Sequence, residues 1–145
     1  MGTVPPAAAR RPTRGALLLR SAWLVALGAL FGRVLVLNPH DNAYLAPATA
    51  GQLLPLLAVP FVVAALLPEG SARRIAAWIA VVLVWGVGGL IGAGFLFYAG
   101  LIVVSSLVAG KLPLGGVAVV HVVGTALLVP TVLGISYRLF RVRAW

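Results

Sequence analysis

Apolar residues in this chain come in long unbroken runs, not in the one-faced stripes of a water-soluble helix. The longest stretch without a charge runs from Ile75 to Gly110, 36 positions counted inclusively. As one helix it would measure about 54 Å, whereas crossing a hydrocarbon layer of about 30 Å takes about 20 residues. Its centre, Gly86-Val87-Gly88-Gly89-Leu90-Ile91-Gly92-Ala93-Gly94, is the only cluster that offers a break. The pattern therefore predicts two segments, 74–90 and 94–109. Three further runs predict helices over 15–37, 48–67 and 116–137.

Polar and turn-forming residues separate these runs. Asn38-Pro39-His40-Asp41-Asn42 and Lys111-Leu112-Pro113-Leu114-Gly115-Gly116 read as turns, and Pro68-Glu69-Gly70-Ser71 as a helix stop. Ser71 is the expected cap of the next helix, with Arg73 and Arg74 in its first turn. Cations there oppose the helix dipole, so headgroup phosphate is expected to set their placement. Pro55, Pro60 and Pro130 lie inside apolar runs, which membrane helices tolerate, and predict kinks. The expected fold is all-α. It is a polytopic integral membrane protein, a bundle of four to five hydrophobic helices with a Gly-rich break in the middle run. Residues 1–14 form a disordered basic cytoplasmic tail, 15–137 the membrane-embedded domain and 138–145 a basic, aromatic interfacial tail. Arg10, Arg11 and Arg14 ahead of an apolar run also describe a signal peptide. The small-residue site Ala48-Thr49-Ala50 lies too far beyond that run, so the first helix is read as retained.

Composition sharpens this picture. The 145 residues are 62% hydrophobic and 9% charged, with mean hydropathy +1.12, against about 25% charged residues in soluble domains. The net charge of +9 brings nucleic acid to mind. The cations flank apolar runs instead of forming a soluble face, so the expected partner is a bilayer with anionic headgroups and no nucleic acid. With no cysteine, disulfides, thiolate metal sites and thiol nucleophiles are excluded. Ten of the eleven basic residues are Arg, which with abundant Ala, Gly and Val suggests a bacterial cytoplasmic (inner) membrane.

Charge also bears on orientation, with the N-terminus cytoplasmic. Five crossings put seven basic residues inside and four outside; four crossings put nine inside and two outside. The positive-inside rule thus favours four crossings while length favours five helical segments. Five helical segments are expected, with the C-terminus on either side.

Candidate chemistry is sparse. His121 is the ionisable residue that sits well inside an apolar run. It is the candidate cofactor ligand, for haem or another metal centre, or a proton relay. The structural alternative is a neutral imidazole hydrogen-bonding across helices. Haem between helices usually takes two histidines, and His40 lies in a loop; a His40/Asp41/His121 cluster is a further arrangement. Arg33 and Asp41 are placed to form an interfacial ion pair. Gly28 with Gly32, and Gly88 with Gly92, match the GxxxG spacing that lets helix backbones approach. Ser105, Ser106, Thr125, Thr131 and Ser136 can bond back to their own helices.

No carboxylate falls inside an apolar run, no pair is available for acid–base catalysis, and no internal repeat is evident. Hydrolysis, glycosyl transfer and ion-driven antiport are therefore disfavoured, and no enzyme is expected. The leading expectation is a small non-catalytic accessory, scaffolding or assembly subunit. It would act through helix–helix contacts with other membrane subunits or its own copies, without metal or cofactor. The alternatives are a permease or channel subunit working as an oligomer, and a haem- or quinone-associated redox subunit using His121.

Overall fold

The computed structural model describes residues 13–37, 45–110 and 115–141, and every regular element among them is a helix. We number four: α1 Arg14–Leu37, α2 Leu45–Leu66, α3 Ser71–Val108 and α4 Gly116–Arg141. Each contains a stretch long and apolar enough to cross a membrane. Residues 1–12, 38–44, 111–114 and 142–145, and with them the expected tails and two of the expected turns, lie outside the described part.

The middle run corrects the sequence reading. No break occurs at the glycines: α3 is continuous for 38 residues, with a single π-helical turn at Val84–Gly88. Its five glycines between 86 and 94 cost roughly 1 kcal/mol each in helix propensity relative to alanine. Breaking the helix would strand up to four N–H and four C=O groups. In apolar surroundings each of those costs several kcal/mol, so the helix persists. The π-turn accommodates one extra residue without opening the hydrogen-bond ladder. The four-to-five expectation therefore resolves to four long helices.

Other boundaries shift for local reasons. α2 starts at Leu45, with Pro47 in its first turn, where a missing N–H costs nothing. Ser71 is not a cap; it is the first residue of α3, Gly70 is the N-cap, and no side-chain cap bond forms. Just past α3, Gly110, whose φ of 62° suits glycine, donates its N–H to the Leu107 carbonyl at 3.1 Å. α4 runs on to Arg141, beyond the expected 137.

The core is built along facing stripes. Leu17, Leu24, Leu27 and Phe31 of α1 meet Leu54, Leu57, Ala58 and Phe61 of α2, positions three, four or seven apart on one helix face. α3 adds Ala77, Ala80, Val84, Ile91 and Phe95; α4 adds Leu128 and Ile135. Trp23 Nε1 donates to Thr131 Oγ1 at 3.1 Å, joining the middle of α1 to the middle of α4. Phe31, Phe95 and His121 meet near the end of α1 and the start of α4. The helices thus alternate in direction, and the starts of α1 and α3 share one end of the bundle with the ends of α2 and α4.

The α2–α3 corner is held by Arg73, which is 3% exposed. Its Nε donates to the Leu67 carbonyl at 2.9 Å, Nη2 donates to the same oxygen, and Nη1 pairs with Glu69 Oε1 at 3.2 Å. This corrects the expectation that headgroups place both arginines: Arg73 instead satisfies a carbonyl at the end of α2.

Candidate functional site

His121 lies five residues into α4 and is completely buried. Its Nδ1 sits 2.8 Å from the Val117 carbonyl, one turn back on the same helix. A carbonyl only accepts, so Nδ1 carries a proton; with Nε2 unprotonated, that second nitrogen would present a lone pair. Nε2 is buried with no hydrogen-bond partner among the described residues. Among the described residues the ring is tied by Nδ1 to its own helix, with no bond across helices. An unpaired buried polar atom costs about 1–3 kcal/mol.

Aromatic rings enclose this imidazole. Phe95 and Tyr98 of α3 lie with ring centroids 5.6 and 5.5 Å from it, and Phe31 of α1 packs on Phe95 at 5.1 Å. Gly124 makes room for the cluster, since a Cβ there would collide with the Phe95 ring. One turn of α4, one of α3 and the late part of α1 thus build a site in which His121 Nε2 is the one buried side-chain polar atom without a partner among the described residues. Such an atom can accept a hydrogen bond or ligate a metal centre. Because the side chain is fully buried, a ligand reaches it only if surrounding side chains move.

The remaining candidates are scattered. His40 and Asp41 lie outside the described residues, so the Arg33–Asp41 pair and the His40/Asp41/His121 cluster fall there too; Arg33 itself is exposed. Among the described residues no three His, Asp or Glu side chains gather.

The glycine motifs differ from one another. A Cβ at Gly28 would sit 2.5 Å from the Pro55 ring, and one at Gly51 would sit 2.8 Å from the Gly32 backbone nitrogen. The Gly28/Gly32 face is therefore occupied by α2 of the same chain. At Gly88 a Cβ would meet Val132 at 3.2 Å, whereas at Gly92 nothing lies within 4 Å. Thr125 and Thr131 donate back to the His121 and Leu127 carbonyls, and Ser105 to Ile102.

Three elements escaped the sequence reading: Arg73, the Trp23–Thr131 bond and the aromatic ring of the His121 site. For the last a signal existed. Gly124 is three residues after His121, on the same side of α4, and leaves a gap that only a bulky neighbour fills.

Comparison with known protein families, with characterised proteins and with solved structures finds no match for this chain.

Proposed function

We propose that this chain is a non-catalytic accessory or assembly subunit that crosses a bacterial inner membrane four times. In this reading its arginine-rich end is cytoplasmic, and it docks a larger membrane partner through the distal part of α3. Four crossings give the nine-to-two distribution of basic residues, which agrees with the positive-inside rule.

The observation that carries the docking role is the overhang of α3. Phe95 stands level with Phe31 and His121. Beyond that level α1 and the start of α4 extend only about 8–9 Å, whereas α3 continues for about 20 Å. Over Leu96–Val108 no residue is buried, and Leu107 and Val108 are 74% and 86% exposed. A 38-residue helix spans about 57 Å, and fitting it within a bilayer of about 45 Å including headgroups requires a tilt of about 38°, at the edge of the usual range. An apolar tip that reaches the polar side of a bilayer needs a cover, and a neighbouring membrane protein supplies one.

Affinity purification from native membranes in mild detergent tests this. The expected result is a larger membrane protein in fixed stoichiometry that is lost from Leu107→Arg. A chain that purifies alone contradicts it.

The free Nε2 of His121 favours a second reading, a haem- or quinone-associated redox subunit. It requires surrounding side chains to swing aside. A Soret band abolished by His121→Ala supports the haem form; a colourless protein from haem-replete cells removes it.

A further inference from the structure

Arg73 and Arg74 are neighbours in the first turn of α3, yet the fold treats them oppositely. Arg73 turns inward to Leu67 and Glu69. Arg74 is exposed, and its side chain has no hydrogen bond or ion pair among the described residues. Glu69, the one carboxylate near it, is engaged by Arg73. A cation in a first turn gains nothing from the helix dipole, so Arg74 lacks a counter-charge within the described protein.

Below Arg74 the surface of α3 is grooved. Residues four apart form ridges on a helix. Here one ridge is Arg74, Trp78 and Val82, and the next is Ile75, Ile79 and Leu83. Together they line an open furrow of about 350 Å³. It runs about 14 Å along the axis from Arg74, whose aliphatic stem lines its end. A cation at one end of an apolar channel, with an indole one turn below it, matches a ligand with an anionic head and a hydrocarbon tail. Under four crossings nine of the eleven basic residues collect at this end of the bundle, which repels a quaternary ammonium and attracts a net anionic headgroup.

We propose that this furrow is a binding site for one acidic phospholipid, its phosphate on Arg74 and one acyl chain between the two ridges beside Trp78. The proposal rests on the membrane reading above and adds to it a defined lipid class at a defined place.

The test uses Trp78 as its reporter. The chain has four tryptophans, so Trp23, Trp85 and Trp145 are changed to Phe, and the full chain is reconstituted in phosphatidylcholine vesicles. Small, equal fractions of acyl-brominated phosphatidylglycerol or phosphatidylcholine are then added. The expected result is that the anionic quencher acts at a concentration roughly fivefold lower than the zwitterionic one. Arg74→Gln should erase that preference and Arg74→Lys should keep part of it, all variants resisting alkaline extraction. Equal quenching by both lipids overturns the proposal. So does a preference untouched by Arg74→Gln, or a Trp78 that neither lipid reaches because a second copy covers it. A chain released by alkaline extraction overturns the membrane reading itself, which separates the two failures.

Discussion

Glycine does opposite things in two regions of this molecule. Along the α1–α2 seam it sets how closely two helices approach. Gly28 lies under the Pro55 ring, and Gly51 lies against the backbone of Gly32. In the middle and far parts of α3, Gly86, Gly89, Gly94 and Gly100 each face open space. The seam is buried and the distal part of α3 is not. Small residues therefore do not by themselves mark an association surface between molecules. In α1 the small-residue face is consumed within the chain, and nine of the thirteen residues of the uncovered surface over Leu96–Val108 are larger aliphatic or aromatic ones.

Thermal unfolding in detergent micelles offers ways to break this contrast. The largest effect is expected from Gly51→Leu, where backbone stands 2.8 Å from the new Cβ and the helices must separate; the loss should be about 3 kcal/mol, the top of the usual overpacking range. Gly28→Ala comes next, at about 2 kcal/mol, because a proline ring yields more readily than backbone but cannot rotate away. Gly94→Ala should go the other way, with a gain of about 0.5–1 kcal/mol from helix propensity. A loss there would mean that α3 bends or packs at that glycine. The smallest effect belongs to Leu107→Ser, expected to stay within about 0.5 kcal/mol, since the tip supports no contact that folding needs. A large destabilisation would place the tip inside the bundle and remove the argument for a partner.

Much of the helical architecture was legible in the residues. Uncharged runs and the turn signals at Pro68-Glu69-Gly70 and Lys111-Leu112-Pro113 mark where long helices begin and end. The misreading at Gly86–Gly94 came from length: 36 uncharged residues exceed one perpendicular crossing, and the glycines were the only break on offer. Where no solvent competes for the backbone, propensity is outweighed by hydrogen bonds that have no alternative partner. Pairings between distant residues were not legible. Nothing in the spacing of Trp23 and Thr131, 108 positions apart, announces their bond. The different fates of Arg73 and Arg74 depend on where the end of α2 leaves an unpaired carbonyl. For His121 the residue was evident, but its surroundings were not, because Phe31 and Phe95 come from two other helices.

The chain has no cysteine, so a single introduced thiol reports without background, and Leu107→Cys probes the claim on which the account turns. The variant is exposed to a membrane-impermeant maleimide, once in vesicles containing this chain alone and once in native membranes. The account predicts labelling in the vesicles, from the side opposite Arg14, and protection in native membranes, where a partner covers the tip. Equal labelling in both settings, or labelling from the same side as Arg14, would contradict it.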